Sequence, residues 1–378
     1  MKKYTITPIN AGNLYPQVHF MTALSNCLLI LTPGFPKDES DTTCLPFLQN
    51  LVEELNEEFP KLNLVIMAFD YPFIAAPYKW KGNEVISFNG WKKRKLKKLY
   101  KWLLIWKRIG KVKRNNNIIG ILSLWCGECA FLGNRFAKRS NLSHYCWIQG
   151  QDATKGNKYV SMIKPASEEM IAISDFNQME FEINHGIKPG HVIPVGIRPG
   201  EYSEEYVIKE NDILGVGSLI PLKQYHLFIE IIYEIKPFFP DIKAVLCGKG
   251  PEESKLRTLI EHYNLQENIT LAGELSHDKI LTIMKRSKVF LHTSNYEGLS
   301  VACLEALGSG CRVISFLRPM LHEIEHWCVF QTKEEMIEKA ISILNDASLI
   351  YRPVFPFTAK ESVKSLLRLY NYNDSTIF

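Results

Sequence analysis

The sequence has no apolar run of the roughly 18–20 residues that a membrane-spanning helix needs. Its opening stretch, MKKYTITPINAGNLYPQ, carries two lysines but no apolar core, so no secretory signal is read there. The nine cysteines are scattered through apolar strings such as AVLCG and HYCWI. That pattern suits reduced, buried thiols in a cytoplasm better than a disulfide framework. No Asp-x-Asp pair follows a strand-like run, and no His/Cys spacing is of the zinc type. No periodic repeat reports on an oligomeric state. Acid is missing from one long stretch: residues 91–114 hold 12 of the 45 basic residues and none of the 40 acidic ones, so the rest of the chain is net acidic.

What is present is alternation. A chain of 378 residues predicts two domains of roughly 150–200 residues each. The runs at 27–32, 62–69, 118–125, 144–149 and 170–174 are continuously apolar, as buried parallel strands are. Between the first two, Leu48, Leu51, Val52 and Leu55 share one helical face. A segment rich in turn residues, HVIPVGIRPGEY (191–202), interrupts the pattern. Strand-like runs then restart at 212–217, 242–248, 268–273, 288–293 and 311–316. The reading is α/β: two doubly wound sheets, in which ligands bind beyond the carboxyl ends of the strands. The last stretch offers a helix with Val363, Leu366, Leu367 and Tyr370 on one side, able to cross back onto the first domain.

The strongest motif is HTSNYEGLSVACLEALGSG (292–310), which follows a strand and opens a helix. Ser300 reads as the N-cap, and the free amides before it suit phosphate oxygens. Glu297 sits in the loop and Glu305 about a turn and a half into the helix. Two carboxylates there are suited to gripping sugar hydroxyls.

The two glutamates of EGLSVACLE, separated by seven residues, resemble the signature of bacterial-type family 4 retaining glycosyltransferases of GT-B fold. GVGSLIPLK (215–223), VLCGKGPEESKL, NITLAGELSHDKI, VIPVGI and LTPGFPKDESDTTCLP (31–46) resemble other parts of that pattern. The resemblance implies two Rossmann-like domains facing a cleft. Residues 1–198 form the acceptor side, with helix 357–378 packed back on it, and 199–356 bind the nucleotide sugar. It implies Glu297 on the donor sugar, Glu305 on the ribose and Lys223 on the leaving diphosphate. The amides of Gly298, Leu299 and Ser300 meet the diphosphate or sugar. Gly34 allows close approach of the first loop, and Gly248, Gly250 and Gly273 border the base. No metal or other cofactor is implied. Ser218 stands where the family usually has arginine. In WIQGQDATKGN, Gln149 stands for the family's histidine, while Asp152 is retained. These two changes motivate an alternative, a degenerate scaffold that binds a sugar nucleotide without turnover.

The implied reaction is retaining transfer of a sugar from a nucleotide sugar to a sugar or lipid-linked acceptor, in cell-surface polysaccharide or glycoconjugate synthesis. The basic stretch reads as an amphipathic helix with Leu96, Leu99, Tyr100, Leu103 and Trp106 on one side. Lys92, Lys93, Arg94, Trp102 and Trp106 are its membrane-facing candidates. The expectation is a cytoplasmic protein held peripherally on the anionic inner leaflet, with no nucleic-acid partner. One string remains, LWCGECA (124–130), which has the outline of a redox dithiol. Glu128 replaces the usual proline, and a carboxylate raises a thiol pKa rather than activating it. Cys126 and Cys129 are therefore read as packing residues, and Trp125 and Glu128 as acceptor-side contacts.

Overall fold

The computed structural model describes residues 24–90, 95–202 and 207–373. The first half runs β1 (Asn26–Gly34), α1 (Pro46–Glu58), β2 (Asn63–Tyr71), β3 (Pro77–Trp80), β4 (Asn83–Ser87), α2 (Lys95–Asn115), β5 (Asn117–Leu124), α3 (Glu128–Ser140), β6 (His144–Ile148), α4 (Lys158–Ile163), β7 (Met170–Ala172), α5 (Asp175–His185) and β8 (His191–Val192). The second runs β9 (Asn211–Val216), α6 (Tyr225–Ile235), β10 (Ala244–Cys247), α7 (Glu253–His262), β11 (Ile269–Gly273), α8 (His277–Lys285), β12 (Ser287–His292), α9 (Val301–Gly308), β13 (Arg312–Ser315), β14 (Trp327–Val329), α10 (Lys333–Asn345) and α11 (Ala359–Leu369). Two sheets result, ordered β3-β4-β2-β1-β5-β6-β7-β8 and β11-β10-β9-β12-β13-β14. All pairs are parallel except β3 with β4.

β1 shows why the strands read as unbroken apolar runs. Successive side chains point to opposite faces. Leu28 and Ile30 enter the core that holds Leu48, Leu55, Leu366 and Leu367. Cys27, Leu29 and Leu31 enter the core built with Ile105, Ile109 and Phe136. The sequence reading misses the β3–β4 hairpin, which is short and carries polar residues. Its turn residues Lys81 and Gly82 both have positive φ, the geometry that two-residue hairpins favour.

The C-terminal helix is a clasp. α11 starts on a capping box, Thr358 with Glu361. Val363, Leu366, Leu367 and Tyr370 are buried. Tyr370 Oη donates to the Ile121 carbonyl at 2.9 Å, and Tyr145 Oη to the Leu369 carbonyl at 2.9 Å. The segment linking the sheets is pinned to the same place. Ile197 N donates to Phe357 O (3.1 Å), and Ala359 N donates to Ile197 O (2.8 Å). The neighbouring Arg198 guanidinium is held by Glu53, Glu54 and Glu57 of α1.

α2 corrects the sequence reading at its two tryptophans. Its buried side is Lys101, Ile105, Ile109 and Val112, while Leu99, Tyr100 and Leu103 are more than half exposed. Trp102 and Trp106 face inward instead, with ring centroids 5.0 Å from Phe131 and 5.0 Å from Phe136. Lys92, Lys93 and Arg94 lie outside the described residues.

Leu366→Ala is expected to cost about 2–5 kcal/mol because the site cannot collapse around the lost side chain. Ile183→Ala, on an exposed position, should stay within about 0.5 kcal/mol. Urea unfolding of the two variants checks the contrast.

Candidate functional site

Loops at the carboxyl ends of the two sheets meet across a narrow gap. The Gln149–Asp152 turn follows β6, and the Thr293–Ser300 loop follows β12. Ser174 Oγ donates to the Gly298 carbonyl at 2.5 Å, and Tyr296 Oη to the Gly150 carbonyl at 3.1 Å. A Cβ on Gly298 would stand 2.5 Å from the Gln149 carbonyl, so only glycine permits this approach. Between the loops lies a cavity of about 200 Å³, lined by Trp125, Gln149, Glu297, Gly298 and Leu299. It is smaller than the ~300–1,000 Å³ typical of ligand pockets.

Glu297 and Lys223 form an ion pair at this gap. Burial pushes the Glu297 carboxyl up, but the adjacent His292 and the Lys223 ammonium outweigh it and hold it below the usual carboxylate range. The loops carrying the pair are stitched together. Thr293 Oγ1 donates to the Lys223 carbonyl (2.7 Å), and Asn295 N donates to Leu222 O (3.1 Å). Ser300 caps α9, its Oγ accepting from Cys303 N at 3.4 Å. The amides at Gly298–Ser300 therefore open a helix N-terminus beside Lys223, a place suited to anionic oxygens.

Glu305 is buried and accepts from His277 Nε2 at 2.9 Å. Glu305 raises the His277 imidazole above its usual value, against the effect of burial. His277, in LSHDK, has no spacing pattern that would mark it in the sequence. The glycine loops of the second sheet are also tied together: Gly248 N donates to Gly273 O (2.8 Å), and Leu219 N to Lys249 O (3.0 Å). A Cβ on Gly250 would stand 2.3 Å from the Leu219 carbonyl. Ser218 is exposed in the loop after β9.

Several sequence-read candidates serve other roles. Asp152 spends its carboxylate on three backbone amides, those of Cys126 (2.7 Å), Gln149 (3.0 Å) and Gly150 (2.9 Å). It shapes the turn and ties it to the Trp125–Glu128 corner, rather than reaching into the cavity. Glu128 turns away from the cavity and is gripped by Lys101 (2.7 Å), Lys98 (2.9 Å) and Trp102 Nε1 (2.5 Å). Gly34 closes β1 against Tyr71 and is not among the cavity-lining residues. Trp125 does line the cavity, packed edge-on to Phe47 with centroids 5.9 Å apart. Cys126 and Cys129 are buried free thiols, and burial pushes the Cys129 thiol well up.

Residues 201–349 match the family described as Glycosyl transferases group 1. The fold is GT-B. Sucrose-phosphate synthase from Thermosynechococcus elongatus superposes with a TM-score of 0.65 at 14% identity, covering 92% of this chain and 96% of that one. Anabaena HepE in complex with UDP and glucose gives 0.61 at 13% identity, covering 91% and 95%. Among curated sequences, a phosphatidylinositol N-acetylglucosaminyltransferase subunit from Arabidopsis thaliana is 24% identical over 200 residues, 50% of this chain and 45% of that protein. The 2-deoxystreptamine N-acetyl-D-glucosaminyltransferase of Niallia circulans is 24% identical over 109 residues, 29% of this chain and 28% of that one. The chain thus spans less than half the length of these curated relatives.

Two outcomes follow for this site. A folded-state pKa raised by Glu305 means that the His277 pair stabilises fully below the unfolded value, near 6.5, and that this contribution is lost as pH rises through the raised value. Melting curves of wild type and His277→Gln should therefore diverge in acid and converge in alkali. Cys126→Ser/Cys129→Ser should leave ligand binding intact, and a thiol reagent should modify neither cysteine in the folded protein.

Proposed function

We propose that this GT-B chain is a retaining, metal-independent glycosyltransferase acting on a nucleotide sugar. The observation that carries the reading is the Lys223–Glu297 pair beside the helix N-terminus capped by Ser300, with Glu297, Gly298 and Leu299 lining the cavity between the two sheets. The matched family and the relatives named as N-acetylglucosaminyltransferases support it. In the reading, the donor diphosphate takes the α9 amides and the Lys223 ammonium, and Glu297 accepts from hydroxyls of the sugar. Glu305 accepts from the ribose, and Gln149 reaches the sugar from the opposite domain. The anomeric C–O bond breaks with its electron pair leaving on the diphosphate. The acceptor hydroxyl bonds the same carbon from the same face, and its proton passes to a diphosphate oxygen. Fixed positive charge at the leaving group stabilises the charge that develops there.

The acceptor is a sugar or a lipid-linked acceptor, and the chain works at a cytoplasmic membrane face. No helix of the described residues is long and apolar enough to cross a membrane. On α2, however, the exposed Leu99, Tyr100 and Leu103 lie among the exposed bases Lys97, Lys107, Arg108 and Lys111. Apolar side chains ringed by lysine and arginine suit an anionic lipid surface, each base adding about 1 kcal/mol. Lys101 bonds Asp70 just before the end of β2 (3.0 Å) and Glu128 at the start of α3 (2.7 Å). The docking face therefore adjoins the rim of the cleft.

Lys223→Ala should lower kcat for donor hydrolysis or transfer about 10²–10³-fold, read by release of the nucleoside diphosphate. Nucleotide-sugar binding without turnover by the wild type would favour the degenerate scaffold. Leu99→Ser/Leu103→Ser should abolish co-sedimentation with anionic vesicles at physiological salt and leave turnover of soluble substrates unchanged.

A further inference from the structure

His292 ends β12 directly beneath Glu297 and is 4% exposed. Among the described residues neither of its ring nitrogens has a hydrogen-bond partner. Native chains keep few such groups, and each costs about 1–3 kcal/mol unless something meets it. Burial pushes the imidazole below its usual value, which keeps the ring neutral. The charged groups facing it are Glu297 and Lys223. Its Nε2 stands 3.6 Å from Glu297 Oε1, just beyond hydrogen-bond distance. The carboxylate is meanwhile taken by Lys223.

The site thus has one acceptor and two donors competing for it. A diphosphate changes the count. It offers Lys223 a stronger anion and leaves a carboxylate that is only 22% exposed without its cation, which is costly. The loop backbones that carry the pair are locked by the Thr293–Lys223 and Asn295–Leu222 hydrogen bonds, so rearrangement falls to side chains. A donor within reach of the stranded carboxylate is His292.

We propose that His292 is the positioning residue for Glu297 in the donor-bound site. When Lys223 turns to the diphosphate, His292 Nε2–H closes on Glu297 and holds its carboxylate toward the sugar. This rests on the reading of the site as a nucleotide-sugar site. The histidine then explains how one lysine serves the leaving group without releasing the glutamate that grips the sugar. It also gives a role to an orphaned imidazole at the end of the apolar run Val289–Leu291.

The test uses the full chain with His292→Leu and His292→Gln. UDP-, GDP-, ADP- and dTDP-sugars are screened first, and the donor that is turned over is compared with its nucleoside diphosphate alone. The diphosphate engages Lys223 but brings no sugar for Glu297. His292→Leu should leave its affinity within about twofold and lower kcat for the sugar donor about 10–100-fold, the scale of a hydrogen bond to a charged group. His292→Gln, which offers an N–H near the Nε2 position, should restore most of the rate. The Leu variant should also melt no lower than wild type, because it removes an unmet polar group. Wild-type turnover matched by the Leu variant, or no rescue by Gln, overturns the role of His292 alone. A wild type that neither binds nor turns over any of these sugars overturns the parent reading, and this proposal with it.

Discussion

The Lys223–Glu297 ion pair is the interaction on which the rest of the site depends. It joins the loop after β9 to the loop after β12 at the carboxyl edge of the second sheet. Around it the chain arranges fixed donors: the α9 amides, the stitched loop backbones and, underneath, an unmet imidazole. A largely desolvated carboxylate without a partner is costly, so the site gains from supplying Glu297 with one in each state. Lys223 is the partner in the structure. A site whose lysine is drawn to an anion needs another donor, and the fold has one 3.6 Å away.

The architecture sets the pair opposite a second wall. Backbone meets backbone where Gly298 faces the Gln149–Gly150 turn, and Asp152 fixes that turn with three amide hydrogen bonds. The two halves are held by a crossing: the linker at Ile197 and Arg198 docks on α1 and α11, and α11 returns the end of the chain to the first sheet. Charge on the outer surface follows the same logic. Lys98 and Lys101 of the basic helix spend their charge on Glu128 and Asp70, which fixes α2 against the cleft rim. The remaining bases stay outward around Leu99, Tyr100 and Leu103.

Much of this architecture is legible in the residues alone. Strands buried on both faces leave continuous apolar runs. β1 reads so because Leu28 and Ile30 feed one core while Cys27, Leu29 and Leu31 feed another. EGLSVACLE is legible because strand, turn, N-cap and helix carry their residues at fixed local spacing. What is not legible depends on tertiary partners. Glu128 reads as a cleft residue because nothing local announces Lys98 and Lys101 as its partners. Periodicity along α2 picks out Leu99, Tyr100 and Leu103, which are exposed, but misses the inward turn of Trp102 and Trp106, because Lys101, a base, is buried on that side by two carboxylates from other elements. Asp152 reads as chemistry because a carboxylate's backbone partners leave no trace in sequence. His277 and His292 are single histidines whose meaning arises only when Glu305 and Glu297 are brought to them.

The most direct measurement of the central claim is the melting temperature of the chain against a panel of sugar nucleotides, wild type beside Lys223→Met. A ligand at 100 times its dissociation constant adds about 2.7 kcal/mol of stability. The account predicts a clear upward shift with one nucleotide class in the wild type, much reduced in Lys223→Met. No shift with any sugar nucleotide, or an equal shift in both proteins, would contradict it.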